Sequence, residues 1–198
     1  MTLMPFVRHT GKCAALPRAD VDTDQIVPKQ FLKRVERTGF GPALFHDWRY
    51  RPDGSENPEF ELNQPEAADA TILIAGANFG CGSSREHAVW ALAEYGFRAV
   101  LAPSFADIFS ANCCQNGLVP VRLPADAIAD LVRRCRVGGG GFRLTIDLEQ
   151  QRVDDGAGFS TTFSMEPYRR EMLLRGLDEI GRTLLQEDRI AAFERSHA

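Results

Sequence analysis

The middle of the chain alternates short apolar runs with amphipathic stretches. Three apolar runs have the length and composition of buried strands: TILIAG, AVLAPS and LVPVRL. Three stretches have apolar residues at helical spacing: REHAVWALAEYG, FADIFSANCCQNG and PADAIADLVRRC. Gly96 and Gly117 are expected to end the first two helices, and Pro124 to begin the third. Strands that alternate with helices predict βαβ units in a parallel sheet over residues 70–136.

The two ends of the chain carry different patterns. Residues 1–68 begin with the strand-like PFVRHTGKCAAL, continue through RADVDTDQIVPKQ, and end in a polar stretch rich in proline. That last stretch predicts a surface loop, because each proline interrupts a helix or a strand ladder. After four glycines that begin at Gly138, FRLTIDLEQQRV predicts one strand, and YRREMLLRGL and DEIGRTLLQEDRIAAFERS predict helical stretches. The pattern as a whole predicts an α/β chain with an antiparallel flank.

Composition narrows the class of protein. The 198 residues are enough for one domain of about 150 residues with an appendage. Lys and Arg number 23 against 27 Asp and Glu, so no basic surplus favours binding to nucleic acid. No apolar run approaches the ~20 residues of a membrane span, and the first residues are too polar for a signal peptide. The five cysteines form no disulfide framework, and we expect a cytoplasmic protein.

The densest chemical signal is the segment Asn78–His87, NFGCGSSREH, between a predicted strand and a predicted helix. It lacks the third glycine of a dinucleotide fingerprint, the Gly-Lys of a phosphate-binding loop, and the flanking glycines of a hydrolase elbow. Gly80 and Gly82 would let the backbone turn tightly and let a ligand approach closely. The segment therefore predicts a ligand-binding turn of another kind.

Three side chains give this turn its chemistry. Ser83 and Glu86 have the spacing of a capping box, which predicts a helix start directly after the glycines and an anion site there. Arg85 adds a planar guanidinium that suits a carboxylate. Together they suggest a small di- or tricarboxylate ligand. The other interpretation, a cap and a turn without chemistry, stays open on these residues alone.

The sequence around this turn resembles the small subunits of 3-isopropylmalate dehydratase, within the aconitase superfamily. Four motifs in the same order carry the resemblance along nearly the whole chain: VDTDQIVPKQFLKR, NFGCGSSREHAVWAL, ADIFSANCCQNGLVPV and LLRGLDEIGRTLLQEDRIAAFE. The element Gly-Ser-Ser-Arg-Glu-His alone is typical of the superfamily, and the surrounding motifs point to the isopropylmalate branch.

The resemblance implies a fold and a reaction. The fold is the swivelling β/β/α domain of the aconitase C-terminal type, a mixed sheet with flanking helices. Residues 1–198 would form that single domain, with a C-terminal helical extension from about residue 165. The reaction interconverts 2-isopropylmalate and 3-isopropylmalate through isopropylmaleate, a step of leucine biosynthesis.

The resemblance also implies roles for residues of the turn. Ser83 matches the serine that removes and returns the carbon-bound proton, and Ser84 and Arg85 match residues that contact a substrate carboxylate. Asp24, in the motif TDQI, would orient the site. Glu86 and His87 are expected to support the site without contacting substrate. His87, in the first helical turn, is expected to be a structural hydrogen-bonding residue rather than a metal ligand, because no second His or Cys lies at ligand spacing.

The segment Gln30–Arg34 matches the family's substrate-recognition region. Either Lys33 or Arg34 would supply a second carboxylate contact, and the sequence does not choose between them. Phe31 and Leu32 would pack against the isopropyl group or, equally well, serve as ordinary core residues.

The resemblance gives the cofactor and the partner as well. A large subunit would carry a [4Fe–4S] cluster, and this chain would bind no metal and be inactive alone. Its own cysteines lack the spacings that clusters use, and Cys113 and Cys114 are adjacent. Two alternatives remain: the small subunit of a homoaconitate- or methylmalate-type hydratase, and a carboxylate-binding domain without catalysis.

Overall fold

The computed structural model describes residues 3–33, 36–184 and 186–197. In this part of the chain seven strands form one mixed sheet in the order β4-β3-β2-β1-β5-β6-β7. The first four strands in this order are parallel to one another, and β5, β6 and β7 continue the sheet beyond β1, each antiparallel to the strand before it. The strands are β1 Arg8–Leu16, β2 Ile72–Ala75, β3 Ala99–Ala102, β4 Val119–Arg122, β5 Arg143–Asp147, β6 Arg152–Asp154 and β7 Ser160–Thr162.

Helices follow the parallel strands as the periodicity predicts. They are α1 Thr23–Ile26, α2 His46–Arg49, α3 Glu86–Tyr95, α4 Asp107–Gln115, α5 Ala125–Val137, α6 Pro167–Arg175, α7 Glu179–Leu184 and α8 Glu187–His197. Gly96 ends α3 with a φ of 121°, which a side chain would disfavour. The predicted alternation β2-α3-β3-α4-β4-α5 is confirmed.

The sheet is buried on both faces at its centre. Leu73 of β2 and Val100 of β3 face a core shared with α3 and α4, while Ile74 and Leu101 face a second core shared with α5 and α6. A strand buried on both faces is apolar throughout, which is why TILIAG and AVLAPS lack alternation. The carboxyl ends of β1 to β4 therefore lie along one edge of a rigid platform.

Two predictions about the flanks are partly wrong. The stretch FRLTIDLEQQRV is not one strand, because a turn separates β5 from β6. The Asp147 carboxylate accepts from the amide of Gln150 at 2.8 Å, and Gln151 has a φ of 50°. The polar stretch after residue 50 lies at the surface only in part, since Phe60 and Leu62 are buried in the core.

The C-terminal helices begin at Pro167. Glu166 caps α6 by accepting from the amides of Tyr168 and Arg169, and Gly176 ends the helix with a φ of 63°. The stretch DEIGRTLLQEDRIAAFERS forms two helices, α7 and α8, rather than a single one. Within the described ranges, no helix has the length and apolar character needed to cross a membrane.

Candidate functional site

The loops that follow β1, β2 and β3 meet at the carboxyl edge of the parallel strands. The amide of Gly80 donates to the carbonyl of Val21 at 2.8 Å, and the amide of Thr23 donates to the carbonyl of Cys81 at 2.9 Å. On the other side, the amide of Phe79 donates to the carbonyl of Ser104 at 3.1 Å. The loop after β2 is thus held between its two neighbours at the edge where α/β proteins bind ligands.

The two glycines of this loop have the conformation that the sequence predicts. Gly80 has a φ of 77° and Gly82 a φ of 91°, both in the left-handed region. A Cβ atom added at Gly80 would overlap the ring of Phe109 on α4. Gly80 is therefore required both for its backbone angle and for the close approach of α4.

Replacing Gly80 by alanine is expected to lower the free energy of unfolding by about 2–4 kcal/mol, from the strained φ and the overlap with Phe109. Gly54 is the matched control, because its φ is 83° and no described heavy atom lies within 4 Å of an added Cβ. Gly54→Ala should cost only the backbone strain, about 1–2 kcal/mol. Urea titration of both variants measures the difference, and equal losses would contradict the role assigned to the Phe109 contact.

The predicted capping box at Ser83 is wrong. The structure begins α3 at Glu86, and Arg85 is the N-cap residue without a side-chain capping bond. Ser83 is instead held by Thr23, whose hydroxyl donates to the Ser83 carbonyl at 3.1 Å and accepts from the Ser83 amide at 3.2 Å. The main chain of Ser83 is therefore bound to α1, and the helix begins three residues later.

A capping box does exist in the chain, at the start of α1. The Asp22 side chain accepts from the amide of Gln25 at 2.7 Å, and the Gln25 side chain accepts from the amide of Asp22 at 3.0 Å. This box fixes the first turn of α1, which carries Thr23 and Asp24. The signal Asp-x-x-Gln was available in VDTDQ, and the buried Thr23 is a site residue that sequence reasoning missed.

Three of the predicted site residues, Asp24, Ser83 and Arg85, lie close together where α1 meets the loop after β2. One Nη of Arg85 donates to an Oδ of Asp24, and the other Nη lies 3.4 Å from the Oγ of Ser83. The Arg85 side chain is 17% exposed, so most of it is withdrawn from water, whereas Ser83 and Ser84 are exposed. Lys29 Nζ lies 3.5 Å from the second Oδ of Asp24. An exposed hydroxyl thus stands beside a fixed guanidinium.

The Asp24 carboxyl has a pKa below its usual range, chiefly because it accepts a hydrogen bond from Arg85 and, to a smaller extent, because of the charge on Lys29. A lowered pKa in the folded state means that the ion pair is complete at neutral pH and is lost only as the pH falls through that value. We expect the carboxyl-carbon NMR titration of Asp24 to shift to higher pH in Arg85→Gln, towards the ordinary value of about 3.9. An unchanged titration would show that Arg85 does not hold this carboxylate.

His87 lies in the first turn of α3, packed between aromatic rings. Its ring centroid is 5.1 Å from that of Phe40 and 4.7 Å from that of Trp90. Removal from water lowers its pKa, which favours the neutral ring. The described contacts of His87 are with these two rings, and its expected role in supporting the site stays a prediction. Glu86 is half-buried at the first position of the same helix.

The segment after α1 forms a 3₁₀ turn, Lys29–Lys33. Lys33 is exposed at its end, and Arg34 lies outside the described residues. Phe31 and Leu32 are half-buried against the core, and the ring of Phe31 is 4.8 Å from that of His46. Each of these two side chains is therefore partly in the core and partly at the surface.

The cysteines do not form a donor set for an iron–sulfur cluster. Cys113 and Cys114 are buried on α4, and burial raises the pKa of both thiols. Cys81 lies in the loop after β2, where burial and nearby aspartates also raise its pKa. Among residues 3–33, 36–184 and 186–197, no three His, Cys, Asp or Glu side chains gather as metal ligands. The residues present do not fit a cluster.

Comparisons with known proteins agree on one family. Residues 3–126 match the family model described as the aconitase C-terminal domain. The chain is 58% identical over 195 residues to the 3-isopropylmalate dehydratase small subunit of Geobacillus kaustophilus, with 98% of each chain covered. It is 56% identical over 190 residues to the same protein of Bacillus subtilis, covering 96% of this chain and 94% of that one. A crystal structure of 3-isopropylmalate dehydratase (leuD) from Methanocaldococcus jannaschii superposes with a TM-score of 0.67 at 27% identity, over 92% of this chain and 99% of that one.

Proposed function

This chain belongs to the family of 3-isopropylmalate dehydratase small subunits, and on that premise we propose that it completes a hydro-lyase of leucine biosynthesis. The enzyme interconverts 2-isopropylmalate and 3-isopropylmalate through isopropylmaleate, in the cytoplasm, and is active only when a large subunit is bound. Identity above 50% along almost the full length of both chains supports this reaction over that of a more distant superfamily member.

The observation that carries the proposal is the position of Ser83. Its hydroxyl is exposed, and its Oγ lies 3.4 Å from an Nη of Arg85. A serine hydroxyl is a weak base at neutral pH, so its alkoxide needs positive charge beside it. Arg85 supplies that charge, and Asp24 and Thr23 keep the guanidinium and the serine backbone in place. Ser83 is therefore the group that takes the proton from carbon and returns it.

The substrate carboxylates would bind around this pair. Arg85 uses one Nη on Asp24 and lies beside Ser83 with the other, and its remaining N–H donors serve one carboxylate. Ser84, exposed next in the chain, adds a hydroxyl to the same carboxylate. Lys33 or Arg34 would bind the second substrate carboxylate.

The large subunit supplies what this chain lacks. We assign to the small subunit the removal and return of the carbon-bound proton. The large subunit, on which we place the [4Fe–4S] cluster, would bind the hydroxide that leaves. Within the described residues, the cysteines of this chain join no group of metal ligands, which is consistent with that division. The exposed edge with Ser83 and Ser84 is the surface that the partner must cover.

Reconstitution with the large subunit of the same organism tests the proposal. Assays with 2-isopropylmalate, citrate, homocitrate and citramalate should show turnover of 2-isopropylmalate above the others, and none by either subunit alone. The isolated small subunit should contain no stoichiometric iron. Preference for homocitrate or citramalate would assign the chain to a related hydratase, and no turnover of any diacid would favour a domain that only binds carboxylates.

A further inference from the structure

A cavity of about 820 Å³ lies between α4, the edge strand β4 and α6. Its volume falls within the range of about 300–1,000 Å³ that is usual for small-molecule sites. Among the described residues that line it, none belongs to the group around Ser83. Phe109 packs between the two places, because its ring stacks on Phe105 of the cavity wall, with centroids 6.4 Å apart, and also contacts the backbone at Gly80. The cavity is therefore separate from the proposed active site.

The floor of the cavity is apolar. Phe105 and Met172 both line it, although only 6% and 3% of their surfaces are exposed. Ala111 of α4 and the half-buried Met165 extend the same surface. An apolar floor beneath polar walls is typical of a site that binds the hydrocarbon part of a ligand.

Charged side chains from three elements line the walls. Arg122 lies at the end of β4, Arg169 on α6 and Asp107 in the first turn of α4. None of the ion pairs formed within residues 3–33, 36–184 and 186–197 includes any of these three side chains. The walls thus offer two guanidiniums and one carboxylate to a ligand.

Glu166 also lines the cavity, but its carboxylate caps α6. It accepts from the amides of Tyr168 at 2.9 Å and Arg169 at 3.0 Å, and the bond from Tyr168 is the chief reason that its pKa lies below the usual range. The Arg169 guanidinium acts on the cavity wall instead. Burial raises the pKa of the Cys114 thiol, which lines the cavity, to about 11, and the charge on Arg169 opposes that rise.

We propose that this cavity binds an α-amino acid with an apolar side chain. Arg122 and Arg169 bind the carboxylate of the ligand, because a guanidinium presents several donors to a carboxylate. Asp107 accepts hydrogen bonds from the ammonium group, and the side chain packs on the apolar floor. A ligand without one of these three features leaves a charged group unpaired or the floor exposed to water. The inference goes beyond the reaction proposed above and does not depend on it.

An NMR titration of the whole small subunit with L-leucine tests the site. We expect saturable shifts of backbone amides in residues 105–115 and 164–172, with a Kd below about 1 mM. Three related compounds each lack one feature: 4-methylpentanoate has no ammonium group, 3-methylbutylamine has no carboxylate, and glycine has no side chain. Each should bind at least about tenfold more weakly than L-leucine.

Two substitutions separate the roles of the charged groups. Arg169→Gln should weaken the binding of both L-leucine and 4-methylpentanoate at least about tenfold, because both ligands carry the carboxylate. Asp107→Asn should weaken the binding of L-leucine alone, because 4-methylpentanoate has no ammonium group. Arg175→Gln is the matched control on the same helix, since Arg175 is exposed and pairs with Glu171 at 3.2 Å. The Kd of this control should equal that of the wild type.

Ala111→Leu tests the cavity without changing a charge. Ala111 is half-buried on the wall formed by α4, so a larger side chain occupies the space of the ligand. Binding of L-leucine should be lost, while the thermal unfolding transition shows that the subunit is folded. This variant and Asp107→Asn decide the question even where Arg169→Gln does not fold.

Several results would overturn the proposal. They are the absence of saturable shifts with L-leucine, equal affinity for all four compounds, and an unchanged Kd in both Arg169→Gln and Asp107→Asn. Shifts at Ser83 and Arg85 that disappear in Arg85→Lys would place the amino acid at the other site. Saturation-transfer NMR of the enzyme assembled with its large subunit completes the test. Binding retained on assembly supports the site, and binding lost on assembly overturns it, because the large subunit then covers or fills the cavity.

Discussion

Replacing Ser83 by alanine is expected to lower the turnover of the assembled enzyme by at least about 100-fold. The change removes the only side-chain oxygen of that residue and leaves its backbone bonds to Thr23 intact. Because the side chain is exposed, no cavity forms and the stability of the subunit should change little. Steady-state assays with 2-isopropylmalate measure the loss, and size-exclusion chromatography shows that both subunits still assemble.

Ser84→Ala is the matched comparison, since it removes the same atom from the next residue, which is also exposed. We expect Ser84→Ala to act mainly through KM, because Ser84 is assigned to binding and Ser83 to proton transfer. Exchange of the substrate's carbon-bound hydrogen with deuterated solvent should disappear only in Ser83→Ala. Turnover by Ser83→Ala at the wild-type rate would remove Ser83 from the mechanism.

Replacing Arg85 by lysine is expected to raise KM by about 10–100-fold and to lower kcat as well. An ammonium group cannot bind Asp24, approach Ser83 and present paired donors to a carboxylate at the same time. The substrate loses a contact of fixed geometry, and the serine alkoxide loses the charge beside it. A rise in KM together with a fall in kcat distinguishes this variant from one that affects substrate binding alone.

Arg133→Lys provides the control for the same chemical change. Arg133 is exposed on α5 and pairs with Asp130 on the same helix, a contact expected to contribute little. Its kinetics should match those of the wild type. If Arg85→Lys also binds and turns over 2-isopropylmalate normally, the guanidinium is not part of the carboxylate site.

Periodicity was sufficient to predict the centre of the fold. Buried parallel strands and amphipathic helices follow from local composition, and β2, α3, β3, α4, β4 and α5 lie where that composition places them. The expected aconitase C-terminal fold is confirmed by the family model and by the Methanocaldococcus structure. The turn between β5 and β6 was missed because its signals, Asp147 and a left-handed Gln151, lie within a run that otherwise alternates.

Long-range hydrogen bonds explain where the site departs from prediction. Ser83 and Glu86 have capping-box spacing, but the Thr23 hydroxyl, 60 positions earlier, binds the main chain of Ser83 instead. Sequence spacing shows only which nearby side chains can hydrogen-bond to the backbone, and contacts between distant parts of the chain can replace those bonds. The proximity of Asp24 to the site was expected from the resemblance, whereas its pairing with Arg85 required the structure.

The bond between Thr23 and the main chain of Ser83 has a mechanical consequence. Ser83, to which we assign the proton transfer, lies in the loop after β2, whereas Asp24, which binds the neighbouring Arg85, lies on α1; the Thr23 hydroxyl joins these two segments. When the two subunits associate, Ser83, Arg85 and Asp24 therefore already have fixed positions relative to one another. Association has only to position this group of residues against the large subunit, because their arrangement is established before the two subunits meet.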